Sequence, residues 1–320
     1  MRLTVRHARR TVRLPQIVLV ATVVVVASLV AGALPASASV AEESEASAFL
    51  GSTLFWNYQA PPPGANTGCQ PSAAHPYPVV LVEGTFASMY NSFGALAPDL
   101  ADNGYCVYSF NYGQTLPFTG LYAMGSIATS AGELGSEVDA VLAHTGASKV
   151  DLVGWSQGGM MPRYYINDLG GAAKVNMLVG LAPSNYGTNL DGLVNLVAGL
   201  GLLGLATDLL SLTCAACTEQ LAGSAFLAAL NRTPTVPGVK YVVIETTHDE
   251  VVTPYTNAFL PPAPNVSDIT LQAQCPQDGS DHLSIPYDSN ALQDVLNALG
   301  PDSPTFSPSC EAVGPIFGNV

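Results

Sequence analysis

The sequence predicts an α/β fold, with a mostly parallel central sheet covered by helices on both faces. Two observations predict it. Short runs rich in β-branched residues alternate with longer helical patterns along most of the chain. One of those runs passes into a helical pattern through a glycine-flanked serine, Gly154-Trp155-Ser156-Gln157-Gly158.

The chain opens with Arg2, Arg6, Arg9, Arg10 and Arg13, then an uncharged apolar run from Ile17 to Ala33, then Ala36-Ser37-Ala38. This is the layout of a secretory signal peptide, so residues 1–38 are expected to be removed and the chain secreted to the extracellular side. The competing reading is an uncleaved anchor, because the apolar run approaches a bilayer span; the small-residue site argues for cleavage. Residues 39–78, Pro-rich from Pro61 to Pro78, read as an N-terminal lead-in. Residues 79–320 are expected to form one domain, since no shift in composition divides them.

Within that domain the expected strands are Val79 to Val82, Tyr105 to Phe110, Val150 to Val153, Val175 to Leu181 and Tyr241 to Glu245. The expected helices are Phe93 to Asp102, Ser126 to His144, Gln157 to Asp168 and Asn290 to Leu299. From Leu190 to Leu212 the only ionised groups are Asp191 and Asp208, yet Asp208 and the glycines Gly192, Gly199, Gly201 and Gly204 argue against a membrane span. This stretch reads as a buried helix pair, as a cap over an apolar pocket, or as both, inside a cap insertion at about 187–230.

Beyond residue 38, Lys149, Arg163, Lys174, Arg232 and Lys240 face 24 acidic residues, a formal charge of −19. Such a chain is not built for nucleic acid. Anionic head groups would repel it, so contact with a lipid–water interface must come from apolar area. Stable membrane insertion of the mature chain is not expected, and it is read as a monomer. Six cysteines, Cys69, Cys106, Cys214, Cys217, Cys275 and Cys310, predict three disulfides in an exported chain. Cys214 and Cys217 suggest a local bridge, because no second close Cys/His pair completes a metal site and export argues against a redox pair.

The pentapeptide around Ser156 fits the nucleophile elbow of α/β-hydrolases, which needs a strand before it and a helix after it. Small neighbours are required because the serine occupies a strained turn. A serine needs a base to take its proton, and the base needs a carboxylate to fix its tautomer. In this fold the acid and then the histidine follow the serine along the chain. His248 and His282 follow Ser156; His282, in Asp281-His282-Leu283 before the last helix, is favoured. Asp249, just past the end of a strand, is the preferred acid, with Glu250 and Asp268 as competitors. For the oxyanion, one amide is expected from Gln157 and a second from Thr85 or Phe86 after the first strand. Glu83 stands in that loop where many hydrolases have histidine, and a buried carboxylate there would need partners.

These residues resemble the secreted class 2 bacterial lipases. The likeness lies in Gly154-Trp155-Ser156-Gln157-Gly158-Gly159-Met160-Met161-Pro162-Arg163-Tyr164-Tyr165, in Leu181-Ala182-Pro183-Ser184, and in Asp249-Glu250-Val251-Val252-Thr253-Pro254-Tyr255. More distantly the chain is similar to Candida antarctica lipase B. The matching stretch runs from about Cys69 to Cys310.

The resemblance implies the α/β-hydrolase fold, hydrolysis of an apolar acyl ester, Ser156, Asp249 and His282 as the triad, and Thr85 and Gln157 as oxyanion donors. It also implies the pairings Cys69–Cys106, Cys275–Cys310 and Cys214–Cys217. Residues 187–230 depart from the lipase B pattern. The same triad also serves acyl transfer or polyester hydrolysis, and a chain that kept the elbow only as a fold feature would bind lipid without turnover. No metal or organic cofactor is expected, because side chains and amides supply every part.

Overall fold

The computed structural model describes residues 57–200, 213–301 and 305–315, with Ser39, Ala41, Glu42, Ser44, Ser47, Ala48 and Ser303. The expected leader, residues 1–38, lies outside the described residues, as does 201–212 of the expected cap.

Six strands form one sheet: β1 (Val79–Val82), β2 (Val107–Phe110), β3 (Val150–Trp155), β4 (Val175–Leu181), β5 (Lys240–Glu245) and β6 (Val266–Thr270). Their order is β2-β1-β3-β4-β5-β6, and every neighbouring pair is parallel. Every residue of β1 and β3 is buried, so β1 reads in sequence as an unbroken apolar run, while β3 is apolar apart from the buried Asp151. β6 is not among the strands expected from sequence. It carries Ser267 and Asp268 exposed on the sheet's edge, and pairing with β5 holds it there. β2 begins at Val107 rather than Tyr105, whose N–H is still bonded to Leu100 O in the preceding turn.

The helix expected from Phe93 to Asp102 starts only at Leu96, and a separate short helix precedes it. A short α1 (Met89–Ser92) starts at a capping box on Ser88 and stops at Phe93, and α2 (Leu96–Asp102) follows. Gly94 between them donates its N–H to Tyr287 Oη at 3.2 Å instead of continuing a helical ladder. Next come α3 (Ile127–Thr145) and α4 (Gln157–Asp168), which pack on each other. The chain steps from β1 to β2 in one direction and through β3 to β6 in the other. Right-handed crossovers therefore put α1 and α2 on one face and α3 and α4 on the opposite face.

Between β4 and β5 the described residues hold α5 (Leu190–Gly199), α6 (Ala215–Glu219) and α7 (Ala225–Leu230). Leu190 and Val194 on α5 are exposed, so this helix is not buried all round. α8 (Leu271–Gln274) and α9 (Ser289–Leu299) follow β6, with Asp288 capping α9. Three disulfides brace the chain. Cys69–Cys106 ties the lead-in to the start of β2, Cys214–Cys217 closes the turn of α6, and Cys275–Cys310 joins the end of α8 to the C-terminal stretch. Lys149, Lys174 and Lys240 stand at the amino ends of β3, β4 and β5.

Candidate active site

Strand order reverses at the β1/β3 pair, and in open parallel sheets ligands sit beyond the carboxyl ends of strands at such a reversal. Two segments arrive there: Glu83-Gly84-Thr85-Phe86 after β1, and Ser156 at the end of β3. They are forced close together. A Cβ on Gly154 would meet Gly158 O at 1.8 Å, and one on Gly158 would meet Val82 O at 2.0 Å. Ser156 itself has φ 56° and ψ −121°, a region a non-glycine residue rarely adopts, and it caps the amino end of α4.

His282 Nε2 lies 3.0 Å from Ser156 Oγ, and His282 Nδ1 lies 2.7 Å from Asp249 Oδ2. Ser156, Asp249 and His282 are all buried. The other oxygen of Asp249, Oδ1, accepts the N–H groups of Val251 and Val252, both at 2.7 Å, which fixes the carboxylate at the turn beyond β5. With Nδ1–H donated to Asp249, Nε2 is left to accept from the serine hydroxyl.

The loop that presents His282 is ordered from within. Asp281 Oδ1 accepts from Leu283 N, Ser284 N and Ser284 Oγ, and Thr246 Oγ1 donates to Ser280 O at 2.6 Å across to the Asp249 turn. Burial pushes the His282 pKa down, but the charge and hydrogen bond of Asp249, with Glu250 and Asp281 adding to them, outweigh it. The net shift is upward from the ordinary 6.5.

The competing residues are placed elsewhere or differently. His248 is exposed and uses its N–H on Thr246 Oγ1. Asp268 lies on β6, and its Oδ1 accepts Leu260 N at 3.5 Å. Glu250 Oε2 accepts the main-chain N–H of His282 at 3.3 Å rather than the ring.

Of the two residues expected to supply an amide after β1, Phe86 has its N–H committed to Tyr122 O at 3.0 Å, so Thr85 remains. Gln157 is the first residue of α4, where amides precede the helical ladder and point outward.

Glu83 is fully buried. Its Oε1 accepts the N–H of Tyr112 at 3.0 Å, while Tyr112 Oη donates to Glu83 O at 2.7 Å. Burial pushes its carboxyl well above the usual carboxylate range, which favours the neutral form. Glu83 thus clamps the loop that ends in Thr85. Glu245, also fully buried at the end of β5, is raised well above its ordinary value by burial and then by the charge of Asp249.

Two polar partners of these residues, Gln220 and Ser184, escaped sequence reasoning. Thr85 Oγ1 donates to Gln157 Oε1 at 2.8 Å. Gln220, just after α6, donates from Nε2 to Thr85 Oγ1 at 2.9 Å and to Gln157 Oε1 at 2.8 Å, and Ser184 Oγ donates to Gln220 Oε1 at 2.8 Å. No motif marks Gln220 or Ser184 as polar partners of the elbow.

Next to the loop after β1 is an apolar cavity of about 210 Å³ lined by Phe86, Leu190, Leu193, Val197, Cys214, Cys217, Thr218 and Leu221. A larger one, about 400 Å³ and bordered by Glu42, Asp99, Tyr287 and Gln293, includes none of the candidate residues. Among the described residues no cluster of three His, Cys, Asp or Glu side chains could hold a metal ion.

The Lipase (class 2) family model matches residues 76–277. A triacylglycerol lipase of Pseudarthrobacter phenanthrenivorans is 37% identical over 97 residues, 29% of this chain and 28% of that protein. Among solved structures, lipase B of Aspergillus fumigatus superposes with a TM-score of 0.57 at 20% identity, covering 74% of this chain and 57% of that one. The mature form of Bacillus licheniformis lipase BlEst2 gives 0.52 at 19% identity, covering 72% and 94%. At these identities the structural likeness speaks to the α/β-hydrolase fold alone.

Proposed function

The chain belongs to the class 2 lipase family, and from that premise we propose that it is a secreted triacylglycerol lipase or esterase working through Ser156, His282 and Asp249. The observation that carries this reading is the continuous contact from serine hydroxyl to imidazole to carboxylate, at 3.0 and 2.7 Å.

In this reading Ser156 Oγ attacks the ester carbonyl as its proton passes to His282 Nε2. Asp249 keeps the imidazole in the required tautomer and stabilises the imidazolium that forms. The carbonyl oxygen takes up negative charge against the N–H groups of Thr85 and Gln157. Collapse expels the alcohol, which takes the proton from His282. Water, deprotonated by the same imidazole, then releases the acid from Ser156.

An apolar acyl group suits the cavity beside Phe86, whose walls are almost free of polar atoms. Three disulfides agree with an oxidising destination, and hence with export. Among the described residues no helix is long and apolar enough to cross a membrane. The exposed Leu190 and Val194 on α5 provide apolar area for a lipid–water interface.

The test is hydrolysis of p-nitrophenyl butyrate, p-nitrophenyl palmitate and emulsified triglyceride by the mature chain beside Ser156→Ala. Activity confined to the parent supports the assignment, and the long-to-short ratio separates lipase from esterase. No activity on any ester, or equal activity in the variant, removes it.

A further inference from the structure

β5 ends on a second buried acid. Glu245, the last residue of that strand, has no solvent exposure. In the turn that follows, Asp249 N–H donates to Thr246 O at 3.3 Å, and the chain folds back so that the side chains of Glu245 and Asp249 come within hydrogen-bonding reach of each other. A Ser-His-acid triad needs one carboxylate, and Asp249 already fills that place, so the second acid is unaccounted for.

Counting donors shows what the pair lacks. Glu245 Oε1 accepts the N–H of Thr246 at 2.8 Å, whereas Oε2, equally buried, has no donor among the described residues. On Asp249, Oδ1 accepts the N–H groups of Val251 and Val252, and Oδ2 accepts only from His282 Nδ1. A carboxylate oxygen has two lone pairs, so the one left over is on Oδ2, the oxygen that faces the imidazole.

Two ionised carboxyls in contact in a dry site repel strongly, and a buried anionic oxygen without a donor is costly besides. One proton between them removes both costs. The neighbours decide which acid holds it. Three N–H groups stabilise Asp249 as the anion, and one serves Glu245. Burial, and then the charges of Asp249 and Glu250, hold the Glu245 carboxyl well above its ordinary range.

We propose that Glu245 is a neutral carboxylic acid near neutral pH and a positioning residue for the triad acid, its Oε2–H donating to Asp249 so that the chain of contacts runs Glu245–Asp249–His282–Ser156. The proton stays on Glu245 throughout turnover. The bond fixes Asp249 from behind and draws part of its charge away from the ring. The charges facing the imidazole are Asp249, Glu250 and Asp281, and those facing Glu245 are Asp249 and Glu250. With Asp249 so engaged, His282 stays neutral to a lower pH than it would beside Asp249 alone. The proposal rests on the hydrolase reading above.

The experiment follows kcat and kcat/KM against pH for p-nitrophenyl butyrate in the parent, Glu245→Gln and Glu245→Met, with infrared difference spectra of parent minus Glu245→Gln at pH 8. Glutamine keeps a neutral donor toward Asp249 and an acceptor for Thr246; methionine keeps the bulk and neither bond. Glu245→Gln is expected to hold kcat within about twofold of the parent, with the acid limb of the profile unmoved. Glu245→Met should lower kcat by about 10-fold and move the acid limb up by roughly 0.5–1 pH unit, a shift that loss of the Thr246 bond alone would not produce. The infrared difference should show the band of a protonated carboxyl in the parent, and together with Glu245→Gln it decides the matter where Glu245→Met does not fold.

An acid limb that moves to lower pH in Glu245→Gln, or a carboxylate band in place of the protonated one, would mean that Glu245 is ionised and would overturn the proposal. Equal losses of kcat in both variants, or none in Glu245→Met, would overturn it as well, and all of these results leave the hydrolase reading intact. Absence of Ser156-dependent hydrolysis in the parent would remove that reading and the positioning role with it.

Discussion

The indole Nε1–H of Trp155 donates to the main-chain carbonyl of His282 at 2.8 Å, so the residue before the candidate nucleophile holds the loop of the candidate base. The two rings also lie 5.7 Å apart, and Trp155 is almost wholly buried. Trp155→Phe keeps an aromatic ring but leaves a buried carbonyl without its donor, at a cost of about 1–3 kcal/mol. The expected outcome is a lower melting temperature and a fall in kcat of roughly 10-fold as the histidine loses its setting. A variant with unchanged kcat would show that other contacts alone position the loop.

Asp249→Asn retains an acceptor for the Val251 and Val252 amides but no longer fixes the Nδ1–H tautomer. Activity is expected to fall by about 10³–10⁴-fold with the fold preserved, as steady-state kinetics and circular dichroism would report. The residual activity should also titrate differently. Asp249 raises the His282 pKa, so its removal moves the acid limb of the pH–rate profile to lower pH.

Acidification is expected to act in opposite directions on activity and on stability. As the proposed base, His282 must be neutral to act, and its pKa is raised above 6.5, so kcat/KM is expected to rise with pH through an ionisation above that value and to be lost below it. Stability follows the buried carboxyls. Burial and the neighbouring Asp278 carry Asp288 up to about 7, and burial carries Asp151 and Asp294 up to about 6. Groups whose folded pKa exceeds the unfolded value contribute stability that is fully present below the unfolded pKa, near 4, and lost as pH rises through the folded one. Melting temperatures at pH 5 should exceed those at pH 8 by on the order of 5 °C. A melting temperature that falls from pH 8 to pH 5 would contradict this.

The disulfides are expected to separate stability from turnover. Cys69–Cys106 spans 37 residues, and its removal by paired Cys→Ser changes should cost about 4 kcal/mol in chemical denaturation. Cys214–Cys217 spans 3 and should cost about 2 kcal/mol, yet lower kcat more, because it braces the turn that leads to Gln220.

Gly158→Ala places a methyl group 2.0 Å from Val82 O, with main-chain atoms rather than a flexible side chain in the way. No small shift relieves that contact, so the variant should fail to accumulate as folded protein, as soluble yield and near-UV circular dichroism would show.

How much of this was readable in the sequence depended on distance along the chain. β1 and β4 announce themselves because parallel strands covered on both faces need continuous apolar runs, and Val79–Val82 and, within β4, Met177 to Leu181 supply them. The Gly-x-Ser-x-Gly turn is legible because its glycines answer a local steric demand. β6 is not, because an edge strand carrying Ser267 and Asp268 has the composition of a loop and is held by its neighbour. Gln220 is least legible of all. Its partners stand 63 and 135 positions away, and no periodicity or spacing brings an isolated glutamine to the elbow. Glu83 was visible as an oddity, and only the buried Tyr112 supplies its explanation.

The placement of the lysines has a practical side. The sequence holds three, Lys149, Lys174 and Lys240, each beside the amino end of a parallel strand, whereas Ser156, Thr85 and Asp249 follow the carboxyl ends. An amine-reactive surface would therefore capture the protein by the edge opposite those three residues, apart from coupling at the chain's own amino terminus. Immobilised in that way, the protein would turn the carboxyl ends of its strands to the passing solution without any engineered tag.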